Sequence, residues 1–187
     1  ELGKEPDLLK QEIYLEIPFS DSLFAAGETV AIEGPFSFGL GRDFNSSLSI
    51  NNRQALPDLM SYTAYSDISQ PDPSSLKRIS MDQMREFTTE RSYSEYVRQS
   101  FLQLPTSLNP QIKALTDQIT KDASTPYDKA VAIQRFLETR YIYSLNLQQP
   151  MSGDPLYEFL FVSRTGHCEY FATAMTVMCR TIGIPAR

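Results

Sequence analysis

At three places in the second half of the chain, a residue that caps helices is followed directly by a proline. These pairs are Asn109-Pro110, Thr125-Pro126 and Asp154-Pro155. Asn, Thr and Asp accept hydrogen bonds from the unpaired N–H groups of a first helical turn, and proline suits the first helical position because it has no N–H. The pairs therefore predict the starts of three helices. A fourth helix is predicted from Cys168 to Ile182, ended by Gly183 with Pro185 beyond it.

In the first half of the chain, apolar and polar residues alternate, as they do in half-buried strands. The strand candidates are residues 13–17, 29–33, 47–50 and 62–66. In the first candidate, Ile13, Leu15 and Ile17 would lie on one face of the strand. Residues 39–43 and 70–75 are rich in glycine, proline and short polar side chains, so they are predicted to be a turn and a loop.

The pattern changes after Leu104-Pro105. Strands followed by helices predict an α+β protein, with a β-rich domain over residues 1–104 and a helical domain over residues 105–187. The stretch 81–102 is ambiguous, because methionines and a phenylalanine at helical spacing surround a middle rich in Ser and Thr. We place it in the first domain.

Composition and charge exclude several classes of function. The chain has 17 basic and 23 acidic side chains, for a net charge of -6, so nucleic acid is a poor partner, since phosphate binding needs concentrated positive charge. No apolar run approaches the ~20 residues that span a bilayer, so we expect no membrane-spanning segment in these residues. With a single histidine and no EF-hand spacing, we assign no metal and no cofactor.

Cys168 is the strongest candidate for chemistry. A loop containing Gly166 delivers it to the first turn of the predicted helix, where unpaired N–H groups and the helix dipole favour a thiolate. The same N–H groups can stabilise the oxyanion of an acyl-transfer intermediate. The alternative is that Cys168 is a small buried hydrophobic residue, as many free cysteines are. Cys179 lies in the middle of the same helix and is predicted to be structural.

His167 is the only histidine and stands next to Cys168. A catalytic base must come within hydrogen-bond reach of the sulfur, and a sequence neighbour usually points elsewhere. We therefore expect His167 to shape the loop rather than to act as the base. The predicted helix also separates Cys168 from Cys179 by about 16 Å along its axis. A disulfide between them is excluded, because it requires Cα atoms within about 7 Å.

The residues around Cys168 resemble the transglutaminase-like core, most closely that of the bacterial membrane-anchored transglutaminase-like proteins. The resemblance covers residues 101–105, 127–130, 141–145, 159–172, 175–180 and 183–187. It is specific there because several motifs occur in order with consistent spacing. Over residues 12–78 the resemblance is looser.

The resemblance implies a papain-like Cys-His-Asp triad with Cys168 as the nucleophile and no cofactor. The substrate would be a protein or peptide amide, and an amine or water would resolve the acyl-enzyme. The Cys168 N–H is a candidate oxyanion donor. Tyr141 and Tyr143 are weaker candidates for a side-chain donor, with core packing as the alternative role. The residues that bind substrate are not identified by the sequence.

In the family, the histidine and aspartate lie on strands after the segment that residues 183–187 resemble, and membrane-spanning helices flank the soluble region. We therefore expect this chain to be the helical half of a core, inactive alone. Its parent would be a membrane-anchored bacterial protein, and the chain would be extracytoplasmic, either periplasmic or on the cell surface. The alternative is a non-catalytic binding or assembly module on the same scaffold, with the acidic β domain contacting a partner.

Overall fold

The computed structural model of the chain describes residues 7–16, 22–34, 40–42, 48–50, 60–89, 92–146 and 153–187. The chain divides into two compact units, Glu1–Pro71 and Asp72–Arg187. In the described residues the first unit consists of strands, and the second is mostly helical with one short pair of strands. The predicted α+β class is confirmed.

In the described residues of the first unit, six strands form two antiparallel sheets. They are β1 (Leu8–Leu15), β2 (Ser22–Leu23), β3 (Glu28–Glu33), β4 (Leu40–Arg42), β5 (Leu48–Ile50) and β6 (Met60–Asp67). One sheet has the order β1-β6-β3 and the other the order β2-β5-β4. In the first sheet Leu15 pairs with Met60, and the register of β3 shifts between Thr29 and Ala31. All four strand candidates lie on these strands, except that Glu16 forms a bend after β1 and that Ile17 and Ser47 are outside the described residues.

The core of the first unit is built on the inner face of β6. Met60, Tyr62 and Ala64 are buried there at alternate positions, as the period of a strand requires. Ile13 and Leu15 of β1 pack against them, which confirms the predicted apolar face of that strand.

Two stretches predicted as turn or loop contain regular structure. Residues 40–42 form β4 because they pair with β5, a partner that the local pattern does not reveal. Pro73–Leu76 forms a short helix, α1, whose N-cap Asp72 accepts a hydrogen bond from the N–H of Ser75. The Asp72-Pro73 pair is thus a helix start of the same kind as Asn109-Pro110, Thr125-Pro126 and Asp154-Pro155. The prediction of a loop at residues 73–75 was wrong.

Besides α1, the residues that the structure describes in the second unit form six further α-helices. They are α2 (Met81–Thr89), α3 (Ser92–Phe101), α4 (Pro110–Ile119), α5 (Pro126–Arg140), α6 (Pro155–Tyr157) and α7 (Cys168–Thr181). The three predicted starts are confirmed, because Asn109, Thr125 and Asp154 each accept a hydrogen bond from a first-turn N–H. The fourth helix is confirmed as well, and Gly183 follows it with a φ of 82°. No helix in the described parts of the chain is long and apolar enough to span a bilayer.

The division between the units falls at residue 71, whereas the change in sequence pattern predicts a boundary near residue 104. The ambiguous stretch forms α2 and α3, and both lie in the second unit. Long-range hydrogen bonds tie the end of α3 to the residues after α7: the N–H of Ala186 donates to Phe101 O at 3.0 Å. Such contacts join residues far apart in sequence, so the local pattern does not predict them.

The core of the second unit lies between α4, α5 and α7. Its most deeply buried apolar residues are Ile112, Ile133, Leu137, Phe159, Leu160, Ala174 and Met178. On α7, the sequence pattern predicts a buried stripe of Phe171, Met175, Met178 and Ile182. Met178 is fully buried and the other three are partly buried against the core. The buried face is therefore centred on Ala174 and Met178, one turn apart.

Candidate active site around Cys168

A short parallel pair of strands holds the loop that leads to Cys168. The strands are β7 (Ile142–Tyr143) and β8 (Thr165–Gly166). The N–H of Ile142 donates to Arg164 O and the N–H of Ser144 donates to Gly166 O, both at 2.9 Å. Because this pairing fixes the backbone two residues before Cys168, it fixes the place where α7 begins.

Gly166 is required by close packing. A β-carbon at this position would lie 2.7 Å from the Cβ of Tyr170 and 2.9 Å from Cε2 of Phe159. Real β-carbons essentially never approach other atoms so closely, so a larger residue would have to displace either the aromatic ring or the backbone. The loop therefore passes between Phe159 and the start of α7 only because residue 166 has no side chain.

The turn into β8 is made by Arg164. It ends a π-helical turn, Glu158–Ser163, and it is the one non-glycine residue of the described chain with a positive φ, 51°. Its N–H donates to Phe159 O at 3.1 Å, which closes the wide turn. A left-handed conformation costs about 1–2 kcal/mol for a residue with a side chain, so the flanking hydrogen bonds must hold it in place.

Cys168 occupies the first position of α7, and its side chain is exposed. Among the hydrogen bonds of the described residues, its backbone N–H has no partner. A free N–H at the positive end of a 14-residue helix can stabilise a thiolate or an oxyanion close to it. The structure thus places the predicted nucleophile and its predicted oxyanion donor on one accessible residue.

His167 is the N-cap of α7. Its Nδ1 accepts a hydrogen bond from the N–H of Glu169 at 3.4 Å. Nε2 lies 4.0 Å from Oε2 of Glu169. In this geometry His167 contacts the first turn of α7, which is the loop-shaping role that the sequence predicts for it.

The two tyrosine candidates have different environments. Tyr141 is buried, and its hydroxyl donates to Leu160 O at 2.8 Å. Burial raises the pKa of Tyr141, while the positive charge of Arg164 acts in the opposite direction. Tyr141 therefore belongs to the core. Tyr143 is exposed, and its ring centroid lies 6.3 Å from that of Phe171. Phe171 is on the first turn of α7, so Tyr143 lies beside the turn that begins at Cys168.

Cys179 is the internal comparison for Cys168. It is buried in the middle of α7, and burial raises the pKa of its thiol to about 11. A thiol of this kind is protonated at neutral pH and screened from reagents. Both cysteines are free, as predicted.

A cleft of about 260 Å³ opens beside the start of α7. Its lining residues are Pro155, Leu156, His167, Glu169, Tyr170 and Thr173. Neither this cleft nor the place of Tyr170 in its lining follows from the sequence, since α6 and α7 are brought together only by the fold. Among the described residues, no three His, Cys, Asp or Glu side chains are close enough together to hold a metal ion.

Comparison with known proteins shows what the region around Cys168 is similar to. Residues 113–187 match the model of the transglutaminase-like superfamily. The uncharacterized protein YebA of Bacillus subtilis is 32% identical over 111 residues, which are 57% of this chain and 15% of that protein. A protein-glutamine gamma-glutamyltransferase of Pseudomonas aeruginosa is 37% identical over 100 residues, which are 52% of this chain and 15% of that protein.

Solved structures show the same fold. The periplasmic domain of TgpA from Pseudomonas aeruginosa matches 98% of this chain and 56% of its own length, with a TM-score of 0.70 and 22% identity. The same domain bound to ethylmercury matches with a TM-score of 0.65 and 23% identity, over 97% of this chain and 57% of that structure. The resemblance indicated by the motifs is confirmed. The match covers only about 15% of the length of the curated relatives.

Proposed function

We propose that the protein containing this chain is a thiol enzyme that acts on protein or peptide amides through Cys168, since residues 113–187 match the model of the transglutaminase-like superfamily. The observation that supports this most directly is the position of Cys168. Its exposed side chain and its unpaired N–H lie together at the start of a helix that is anchored by a buried face at Ala174 and Met178. Rigid support of this kind is what a nucleophile requires.

The proposed reaction has two steps. The Cys168 thiolate attacks a carboxamide carbon, and the Cys168 N–H stabilises the oxyanion; the C–N bond then breaks, and ammonia or an amine leaves after accepting a proton. The resulting thioester is attacked by an amine, which gives a new amide, or by water, which gives an acid. Either route returns the proton and the free thiol.

Proton transfer requires a base, and the family resemblance implies a histidine oriented by an aspartate. We propose that His167 is not that base, since its Nδ1 accepts a hydrogen bond from the N–H of Glu169 at the start of α7. No hydrogen bond from the Cys168 thiol to a base is present among the described residues. We therefore propose that residues 1–187 alone are essentially inactive. Positioned acids and bases contribute roughly 10²- to 10⁴-fold to such reactions.

The relatives support the choice of substrate and compartment. One curated relative is named for transfer to protein glutamine, and the structural relative is described as a periplasmic domain. We propose a protein or peptide glutamine as the acyl donor. We also propose that the chain lies outside the cytoplasm in a membrane-anchored bacterial protein.

The test compares the whole protein with its Cys168→Ala variant on glutamine-containing peptides. Ammonia release, incorporation of a labelled amine and peptide cleavage are measured in parallel, since they distinguish the three chemistries. Cys168→Ala should abolish all three, and a thioester of the peptide should be found on Cys168 by mass spectrometry. Cys179→Ala is the matched control and should keep activity. If the whole protein folds but shows no amide chemistry on a broad panel, the chain is a binding or assembly module instead.

A further inference from the structure

The cleft beside α7 lies next to the proposed nucleophile. His167 and Glu169, which immediately precede and follow Cys168, both line it. Since consecutive Cα atoms are about 3.8 Å apart, the lining of the cleft begins one residue away from Cys168 on each side. The cleft is therefore positioned to contact the side chain of a substrate residue next to the attacked amide.

The lining combines an apolar surface with one carboxylate. Pro155 and Leu156 are apolar, and Tyr170 adds an aromatic ring. The Glu169 side chain is 84% exposed, its carboxylate lies 4.0 Å from Nε2 of His167, and no Lys or Arg is found among the described residues that line the cleft. The ring of His167 stands against that of Tyr170, with centroids 5.0 Å apart and planes at 75°.

These features fit a long aliphatic side chain that ends in a positive charge. Lys and Arg bury their methylene stems on apolar surface and keep the charged group at the edge. The charged group can there meet a carboxylate and an aromatic face, and both interactions favour a cation. A volume of about 260 Å³ is slightly smaller than the ~300–1,000 Å³ of typical ligand pockets, which suits one side chain rather than a whole small molecule.

On the basis of the function proposed above, we propose that this cleft receives a Lys or Arg side chain of the acyl-donor peptide, adjacent to the attacked glutamine. Glu169 is the residue that selects for positive charge. An acidic side chain would be repelled by this carboxylate, and a neutral apolar one would gain only the contact with Leu156 and Pro155. Because Glu169 is exposed, its pairing with a cation is screened by solvent, and the expected preference is modest.

The experiment measures binding, so that it does not depend on turnover. The whole protein carrying Cys168→Ala is titrated against fluorescent glutamine peptides that have Lys, Leu or Glu immediately before or immediately after the glutamine. The peptides form two series, with the varied residue either before or after the glutamine. In one of the two series we expect the Lys peptide to bind about two- to five-fold more tightly than the Leu peptide, and the Glu peptide to bind more weakly than the Leu peptide. Adding Glu169→Gln should bring the ratio of Lys to Leu affinities close to one, and Glu169→Lys should reverse the order of the Lys and Glu peptides.

The matched control is Glu138→Gln, which removes an exposed carboxylate from α5, away from the cleft lining. It makes the same change in net charge as Glu169→Gln and should leave the preference for the Lys peptide at its original value. Equal affinities for the three peptides in both series, or an equal effect of Glu138→Gln and Glu169→Gln, would overturn the proposal. Turnover is measured separately. A protein that prefers the Lys peptide but performs no amide chemistry would contradict the proposed enzymatic function and would still support binding of a cationic side chain in the cleft.

Discussion

Arg180 holds Ala186 through two hydrogen bonds to one oxygen. Its Nε donates to Ala186 O at 2.9 Å and its Nη2 donates to the same atom at 2.6 Å. The guanidinium also donates to Gln103 O at 2.9 Å and to Ser100 O at 3.2 Å. A side chain near the end of α7 thus joins the residues after that helix to the end of α3 and the segment that follows it.

The first prediction concerns this contact. Arg180→Lys keeps the charge but loses the planar group that can bond several carbonyls at once, so two or more carbonyls lose their donor. We expect the free energy of unfolding of the 187-residue chain to fall by about 1–3 kcal/mol, measured by urea denaturation. Arg135→Lys is the control on exposed α5 surface and should change stability by less than about 0.5 kcal/mol. Equal effects of the two substitutions would show that the contact contributes little.

The second prediction concerns the loop before Cys168. Gly166→Ala introduces a β-carbon that would lie 2.7 Å from the Cβ of Tyr170, so the loop or the helix must shift. We expect a loss of about 1–3 kcal/mol of stability and, in the whole protein, a loss of activity larger than the loss of folded protein. Gly153→Asn is the control, because its φ of 71° suits asparagine and no atom of the described residues lies within 4 Å of an added Cβ.

The third prediction concerns the reactivity of the two thiols. At neutral pH Cys168 should be alkylated more than about tenfold faster than Cys179, because it is exposed at a helix N-terminus while Cys179 is buried with a pKa of about 11. Peptide mapping by mass spectrometry after brief iodoacetamide treatment measures both rates in one sample. Preferential labelling of Cys179 would remove the case for Cys168 as the nucleophile. In urea the alkylation rates of the two cysteines should converge, because unfolding exposes both thiols. This measurement controls for differences in the detection of the two peptides.

The fourth prediction concerns stability at alkaline pH. Burial raises the pKa of Cys179 from its ordinary value of 9.0 to about 11, so the folded protein keeps this proton at pH values where the unfolded chain has lost it. The contribution of this buried thiol to stability is fully present below pH 9 and is lost as the pH rises toward 11. The free energy of unfolding should therefore fall across this range by at most about 1.4 kcal/mol per pH unit.

The measurement is urea denaturation under a reducing agent at several values of pH between 8 and 11, with Cys179→Ala beside the original chain. Burial also raises the pKa of Tyr62 and of Tyr141, so both proteins should lose stability at high pH. The original chain should lose more, and the difference isolates Cys179. Identical slopes in the two proteins would contradict the prediction.

Much of the secondary structure could be predicted because its signals are local. The cap of Asn109 involves the N–H of residue 111, and the cap of Thr125 involves the N–H of residue 128. Such bonds form within one helical turn, so the residue types alone indicate them. The nucleophile candidate was found in the same way, because a loop glycine followed by a helix start is visible in the printed sequence around Cys168.

Other features depend on residues that are distant in sequence. Tyr141 could have been an oxyanion donor or a core residue, and only its hydrogen bond to Leu160 O assigns it to the core. The boundary near residue 104 followed a change in local pattern, whereas the division at residue 71 reflects contacts of α3 with the end of the chain. Neither outcome follows from the spacing of residue types.

The sequence by itself determined where most helices begin, which residues alternate on the long strands, and that one cysteine stands at a helix start. The tertiary structure decided that Gly166 passes between Phe159 and Tyr170, that Nδ1 of His167 accepts from the first turn of α7, and that a cleft lined by Glu169 opens beside Cys168. The physical reason is the range of the interactions. Capping and periodicity act over a few residues along the chain, whereas close packing and clefts are made by elements that meet only after the chain has folded.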